Sequence, residues 1–256
     1  MAREKKTWKE TLSPQEISNA IFVDFEGEQV KRSDGSTDYS DEKARKFLGI
    51  LWNPFSSNSH LPRLQQFILD PTLKLCKNTF DAAEYGLCHK HNVKYFSTRE
   101  KTEEEAIKFL LKERWNDAPI VSWSDHDKGV IQEMMNNDRF SDEQRSNIER
   151  RWRDAKATAK KWNREALSGK IKRPHKLSTY LSIVGYELPS LIKDDNGKKE
   201  KKISEEMKYL SDHLKNKRSI EELTEPQKTK WRYICEYNFH DLEGMRQVLL
   251  TAVSDS

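Results

Sequence analysis

The segment IFVDFEG at residues 21–27 sets two acidic side chains within an otherwise apolar run that has the pattern of a buried strand. Side chains two residues apart on a strand point to one face, so Asp24 and Glu26 lie side by side and repel each other. Acids are also depleted in strands. The run is therefore either an edge strand with two exposed acids or a buried strand whose acids are neutralised by a divalent cation, for which carboxylate oxygens are ligands.

Strand and helix patterns alternate along the rest of the chain, and this alternation predicts an α/β sheet. Strands are predicted at 47–52 and 119–123, and residues 61–69 fit either a strand or a short helix. Two helices have N-terminal caps, at Thr102 and Thr224. The helices are predicted at 102–111, 128–136, 142–167, 177–186 and 225–252.

The length of 256 residues suits one large domain or two small ones. We predict a polar N-terminal arm at 1–19, followed by one domain at 20–256. Within this domain, residues from about 140 to 176 are predicted to form a basic helical insertion. The sequence DDNG at 194–197 predicts an exposed loop.

Composition and targeting features predict a cytoplasmic protein. No apolar run approaches the roughly 20 residues that a bilayer span needs, so no membrane anchor of that kind is expected. The charged residues 1–10 lack the apolar segment of an ordinary secretory signal. Cys76, Cys88 and Cys235 form no CxxC pair and their number is odd, which favours reduced thiols over a disulfide framework.

Polar residues interrupt the apolar face of the last predicted helix. Asn238 and Asp241 fall on the same side as its apolar stripe, so they should face the protein body. Burying a carboxylate costs several kcal/mol unless it is paired, hydrogen-bonded or bound to a metal, so Asp241 requires compensation. Tyr237 lies one turn before Asp241 on one helical face, where a phenol can orient a water beside a metal-bound acid.

Two further aspartates follow the strand predicted at 119–123. Asp125 and Asp127 lie where this strand passes into a helix, and sites in open α/β sheets assemble at the carboxyl ends of strands. Taken singly, Asp125 is explained as a helix cap and Asp127 as a charge that complements the helix dipole. Together with the acids of the first strand and the last helix, they favour a shared site.

The order of three motifs carries a family resemblance. DFEG in a strand, WSDHD after a strand and YNFHD in a late helix resemble the DEDD superfamily of 3′-end exonucleases, which have a ribonuclease H-like fold. Tyr237, with three residues between it and Asp241, is similar to the tyrosine-type branch. The histidine-type branch would have a histidine where Glu236 stands. The resemblance covers about residues 21–250.

The resemblance implies hydrolysis of phosphodiester bonds by a two-metal mechanism. Its implied ligands for two Mg²⁺ or Mn²⁺ ions are Asp24, Glu26, Asp127 and Asp241. One ion lowers the pKa of the attacking water, and the other stabilises the leaving 3′ oxygen. Tyr237 would position that water. The W-x-x-x-D spacing favours Asp127 as the ligand of the second motif, with Asp125 as the alternative. His240 points about 100° away from Asp241 on a helix, which argues against a role as catalytic base.

A basic segment predicts an anionic partner. Between Arg150 and Lys176 the chain carries eleven Lys and Arg against two acids, a charge of +9, although the whole chain has a net charge of only +4. Such a polarity indicates a polyanion. The predicted nucleic-acid-binding residues are Arg150, Arg151, Trp152, Lys160, Lys161 and Trp162, the cations contacting phosphates and the indoles stacking on bases. The alternative is a solvated helix whose tryptophans pack on the sheet.

These features together predict a metal-dependent 3′-to-5′ exonuclease that acts on single-stranded nucleic acid. Its partner would be a single-stranded 3′ end. The alternative is a non-catalytic nucleic-acid-binding module on the same fold, in which the basic segment binds and the acids are inert. Turnover that depends on Mg²⁺ or Mn²⁺ separates the two.

Overall fold

The computed structural model describes residues 11–28, 30–35, 38, 41–53, 61–82, 84–115, 117–123, 125–136, 138–189, 192 and 203–255. These residues form a mixed six-stranded sheet flanked by helices, which confirms the predicted α/β class. Residues 1–10 of the predicted arm and the loop predicted at 194–197 lie outside the described residues.

The six strands are β1 (Ile21–Glu26), β2 (Phe47–Trp52), β3 (Arg63–Ile68), β4 (Lys94–Glu100), β5 (Ile120–Ser122) and β6 (Trp152–Asp154). Their order across the sheet is β4-β3-β2-β1-β5-β6. β1, β2 and β3 pair antiparallel, whereas β5 is parallel to β1, β6 is parallel to β5 and β4 is parallel to β3. This arrangement is consistent with a ribonuclease H-like α/β fold.

The helices are α1 (Pro14–Ser18), α2 (Leu87–His91), α3 (Glu103–Leu110), α4 (Asp125–Met134), α5 (Asp142–Arg151), α6 (Ala155–Glu165), α7 (Leu177–Ile183), α8 (Ile203–Leu214) and α9 (Glu225–Ser254). α9 packs over β1 and β2 and contacts α1, α6, α7 and α8. A second core, on the other face of the sheet, contains residues of α3 and α4. None of the described helices combines the length and hydropathy that a bilayer crossing requires.

The residues of β1 alternate between these two faces. Val23 and Phe25 are buried with α3 and α4, whereas Phe22 is buried beneath α9. Because side chains on a strand alternate with a period of two, Asp24 and Glu26 project toward α9. β1 pairs with a neighbour on each side, so it is an internal strand and the edge-strand interpretation of its two acids is wrong.

Most element boundaries follow the sequence patterns. Thr102 caps α3, its hydroxyl accepting a hydrogen bond of 3.2 Å from the N–H of the third helical residue. The N–H of Thr224 donates to the side chain of the third residue of α9, at 3.0 Å. Residues 61–69, which fit a strand or a helix, contain β3, and α4 begins at Asp125, three residues before its predicted start at 128.

The single helix predicted over 142–167 is wrong, because a strand interrupts it. α5 ends at Arg151, and β6 follows as an edge strand paired with β5. Trp152 anchors this strand in the core, and Asp154 caps α6 by accepting a hydrogen bond of 2.8 Å from the backbone N–H two residues later. The region predicted as a helical insertion at 140–176 therefore contributes a strand to the sheet itself.

Candidate functional site

The two acids of β1 meet an acid of α9 on one face of the sheet. Carboxylate oxygens of Asp24, Glu26 and Asp241 lie within 4.8 Å of one another. These three residues are called the acidic cluster below. The separation suits coordination of one cation by several oxygens, and carboxylate oxygens are the donors that Mg²⁺ and Mn²⁺ prefer. The residues that the sequence nominated in the first and third motifs thus come together.

The glycine of DFEG is required by a close approach of two backbone segments. A Cβ at Gly27 would lie only 2.3 Å from the carbonyl oxygen of Ala44. The pairing of β1 with β2 extends as far as Glu26, since the N–H of Lys46 donates to the carbonyl of Glu26 at 3.1 Å. A side chain at position 27 would therefore push the chain around Ala44 away from the end of β1 and displace Glu26.

Of the two aspartates in the second motif, Asp127 lies next to the acidic cluster. Its side chain is only 3% exposed and its Oδ1 accepts a hydrogen bond of 3.0 Å from the N–H of Phe25, between the two acids of β1. Asp125 is exposed and acts electrostatically on Asp154 of the edge strand. The arrangement favours Asp127 over Asp125, and its role as a metal ligand stays a prediction.

The electrostatics of the cluster centre on Asp24. Burial raises the pKa of the Asp24 carboxyl well above its usual range, and the neighbouring carboxylates of Glu26, Asp241 and Asp127 raise it further. The ionised form of Asp24 is therefore disfavoured when the carboxylates have no cation between them. A bound divalent cation would reverse this balance, because it attracts every carboxylate that now repels its neighbours.

Two tyrosines of α9 stand above the cluster. Tyr233, Tyr237 and Asp241 follow one another at four-residue intervals on one face of the helix, and the two rings are 5.9 Å apart. Burial raises the pKa of Tyr237, as do Asp241, Glu26 and Asp24, and burial and Glu26 raise the pKa of Tyr233. Both phenols therefore stay protonated at neutral pH and are hydrogen-bond donors rather than bases.

A buried amide holds Asp24 in place. The side-chain amide of Asn238 donates to the Oδ2 of Asp24 at 2.9 Å and to its backbone carbonyl at 3.1 Å. Gln66 of β3 donates in turn to the Oδ1 of Asn238 at 3.1 Å. Gly49 of β2 lies between Asp24 and Gln66 in the strand register, and the missing side chain leaves the room that Asn238 occupies.

Two other polar residues of α9 face away from the acidic cluster. The Nδ1 of His240 lies 2.8 Å from the hydroxyl of Tyr186, beyond the end of α7. Glu236, at the position of the histidine in the histidine-type branch, is buried and pairs with Arg232. Neither residue therefore substitutes for Tyr237 beside the acids.

Three of the predicted nucleic-acid-binding residues are buried. Arg151 donates to the carbonyls of Ala118 at 2.8 Å and Leu110 at 2.9 Å, which ties α5 to the sheet and to α3. Trp152 lies in the core, and the indole of Trp162 is 2% exposed. For the two tryptophans the structure matches the alternative interpretation, in which they pack on the protein.

The other three predicted contact residues reach the surface. Arg150 is exposed and pairs with Asp117 at 2.9 Å. Lys160 and Lys161 are half-buried on α6, and Lys161 lies 3.9 Å from Glu165. Their contact with nucleic acid stays a prediction.

Sequence reasoning missed Tyr233, Gln66 and Gly49. Tyr233, Tyr237 and Asp241 are spaced four residues apart, and this spacing in the sequence could have placed Tyr233 on the same helical face as the other two. Gln66 and Gly49 carry no such signal, because their roles depend on the register of three strands. Asn238 was expected to face the protein body, and it is fully buried there.

Comparisons of the chain with models of protein families, with curated proteins and with solved structures found no match.

Proposed function

We propose that this protein is a metal-dependent 3′-to-5′ exonuclease that hydrolyses phosphodiester bonds of single-stranded nucleic acid, as in the tyrosine-type branch of the DEDD superfamily. The observation that carries the proposal is the convergence of Asp24, Glu26 and Asp241, with Asp127 beside them, on one face of the sheet. These residues come from β1, α9 and α4, so a metal site is assembled only in the folded chain.

The residues present fit two Mg²⁺ or Mn²⁺ ions. Asp24, Glu26, Asp127 and Asp241 would hold them. Burial first, and then repulsion by the neighbouring carboxylates, raise the pKa of Asp24, and a cation between the carboxylates would relieve that repulsion. Bound ions supply an activated water and neutralise charge on the phosphate. The protonated phenol of Tyr237 would donate a hydrogen bond to orient that water, and the amide of Asn238 donates to the carboxylate of Asp24 and fixes its position.

The proposal assigns the activity to the cytoplasm. The cysteines Cys76, Cys88 and Cys235 are free, which fits a reducing compartment. Burial raises the pKa of Cys76 to about 12, so this thiol is chemically inert at neutral pH.

Hydrolysis of end-labelled single strands of DNA and RNA tests the proposal, and Asp127→Asn tests its second motif. With a 5′ label, Mg²⁺ or Mn²⁺ should produce a ladder that shortens from the 3′ end, and EDTA should abolish it. Asp127→Asn keeps the acceptor for the N–H of Phe25, so the fold should persist. Its turnover should nevertheless fall by more than the roughly 100-fold that loss of an outer contact of a metal site costs.

Asp125→Asn is the matched control, because it makes the same chemical change two residues away at an exposed position. Its turnover should stay within about threefold of wild type, as for a surface position that touches no reacting group. The reverse order of the two variants would assign the ligand to Asp125. Metal-independent binding without any turnover would instead support a non-catalytic nucleic-acid-binding module.

Tyr237→Phe should lower turnover by about 10- to 100-fold and leave the Michaelis constant nearly unchanged, because one orienting contact is lost while the carboxylates remain. Steady-state kinetics with a single-stranded substrate measure both constants. Tyr209→Phe serves as the control, since Tyr209 of α8 stacks on His213 and is not among the groups that shift the pKa of Asp24. A turnover number for Tyr237→Phe equal to that of the control would reduce Tyr237 to a packing residue.

A further inference from the structure

The loop between α6 and α7 carries exposed cations that have no ion-pair partner among the described residues. Residues 170–176 are called the basic loop below, and the exposed cations are Lys170, Lys172, Arg173 and Lys176. Two cations of the neighbouring helices are paired, in contrast, since Arg150 lies 2.9 Å from Asp117 and Lys161 lies 3.9 Å from Glu165. Four cations without internal counterions form a surface that an external anion can occupy.

The backbone of the basic loop is held by side chains of the two adjoining helices. Ile171 is buried, and its N–H and carbonyl bond the amide side chain of Asn163 at 3.0 and 3.3 Å. The hydroxyl of Tyr180 donates to the carbonyl of Pro174 at 3.2 Å. None of these anchors uses a charged side chain, so the fold of the loop does not depend on its cations.

Trp123 connects the basic loop to the end of β5, the strand next to β1 in the sheet. Its indole N–H donates to the carbonyl of His175 at 3.1 Å. β5 is parallel to β1 with Val121 opposite Phe22. β5 ends at Ser122, so Trp123 follows directly at the end of the strand that pairs with β1. Its ring packs on α7 at the α9 side of the sheet, which is the side to which Asp24 projects.

We propose that the basic loop binds the phosphate backbone of a single-stranded nucleic acid and guides that strand to the acidic cluster. The identity of the strand as a substrate rests on the proposed function. A polyanion gains affinity at each phosphate by releasing condensed counterions to lysine and arginine contacts. The loop offers four such contacts and is bonded through Trp123 to the end of β5, the neighbour of the strand that carries Asp24 and Glu26, whereas Arg151 of the sequence-predicted set is buried and Arg150 is paired.

The test compares two variants that remove the same charge from different places. The loop variant is K170Q/K172Q/R173Q/K176Q, and the helix variant, at exposed lysines of helical segments outside residues 140–176, is K74Q/K77Q/K108Q/K208Q. Each lowers the formal net charge from +4 to 0, so any effect of overall charge is the same in both. Affinity for a short fluorescent single strand is measured in EDTA from about 50 to 300 mM salt, where neither metal nor hydrolysis contributes.

For the loop variant, the slope of log affinity against log salt should flatten by about 2 to 3, as expected for four phosphate contacts on a single strand. The slope of the helix variant should stay within about 0.7 of wild type, less than one contact. A loop variant with the wild-type slope, or a helix variant that flattens as much, would overturn the proposal. Both variants should keep the wild-type thermal unfolding midpoint, because the loop anchors are intact.

Turnover is measured separately in Mg²⁺ at saturating strand concentration. Absence of hydrolysis in the wild-type protein would refute the proposed function while the salt slopes still decide whether the loop binds nucleic acid. Hydrolysis together with an unchanged slope in the loop variant would refute only the loop assignment.

Discussion

Asp24→Asn is expected to stabilise the metal-free protein and at the same time to abolish the proposed hydrolysis of nucleic acid. Burial and the carboxylates of Glu26 and Asp241 oppose ionisation of Asp24, so a neutral amide of the same shape removes repulsion from the fold. The Asn side chain still offers an oxygen to the amide of Asn238. Without the Asp24 carboxylate the proposed metal site would lose a charged ligand, and we expect turnover to fall at least about 1000-fold, as for loss of a central catalytic group.

The stabilisation should depend on pH with a definite sign. The pKa of Asp24 is raised in the folded state, so the folded protein binds a proton that the unfolded chain loses near its ordinary pKa of about 4. Stability of the metal-free wild type therefore falls as pH rises from about 4 through the folded-state pKa of Asp24. The variant lacks this loss, so its advantage is absent in acid and grows with pH.

Thermal unfolding in EDTA at several pH values measures this difference. At about pH 7.5 the variant should unfold at least about 3 °C above wild type, equivalent to about 1 kcal/mol for a chain of this size. Mg²⁺ should raise the wild-type midpoint and leave that of the variant nearly unchanged. Asp125→Asn is the control. Because Asp125 is exposed, this variant should have the wild-type midpoint in EDTA and the wild-type response to Mg²⁺. A variant no more stable than wild type at any pH would contradict the repulsion, and full activity would remove Asp24 from the site.

The parts of the site that the sequence predicts are those set by local periodicity. A strand period of two puts Asp24 and Glu26 on one face, and the helical period puts Tyr237, Asn238 and Asp241 toward the body of the protein. Both placements follow from spacing alone, and the structure has them as expected. The order of the motifs pointed to an aspartate of the second motif as a further member of the site. Burial in the structure then distinguishes Asp127 from Asp125, which is exposed.

The parts that spacing could not predict are set by contacts distant in sequence. The residues of β6 continue the charged, non-alternating pattern of the helix before them. Only pairing with β5 makes Trp152–Asp154 a strand. By composition Arg151 is typical of a solvated basic face, yet carbonyls at the end of α3 and before β5 accept hydrogen bonds from its guanidinium in the interior. Counting charges along the sequence therefore assigned Arg151 to a binding surface, although it lies in the interior and stabilises the core.

Local sequence patterns likewise do not predict how α9 packs on β2. Asp24, Gly49 and Gln66 are neighbours across β1, β2 and β3, and Asn238 reaches down between them. A glycine in a strand interior ordinarily weakens the strand. From its position in a strand alone, replacing Gly49 by alanine would be expected to stabilise the protein. The close approach of α9 reverses that expectation.

Gly49→Ala is expected to destabilise the protein by about 3 kcal/mol, through overpacking and the loss of a buried hydrogen bond. A Cβ at this position would lie 1.9 Å from the Oδ1 of Asn238 and 2.6 Å from a terminal methyl group of Leu242. Asn238 would have to withdraw, which also frees the carboxylate of Asp24 from its amide donor. Chemical denaturation measures the loss of stability, and the same protein should show lowered turnover.

Gly244→Ala is the matched control, and a double substitution identifies the cause. A Cβ at Gly244 of α9 would meet only the end of the Leu181 side chain, at 2.6 Å, and alanine gains about 1 kcal/mol of helix propensity, so the net change should be within about 1 kcal/mol. If Asn238 is the obstacle, Asn238→Ala should cost less in the Gly49→Ala background than in wild type, with a coupling energy above about 1 kcal/mol. Additive effects, or a Gly49→Ala protein as stable as wild type, would mean that α9 does not pack this closely on β2. The amide of Asn238 could not then hold Asp24, and the carboxylate would have to be oriented by the cation alone.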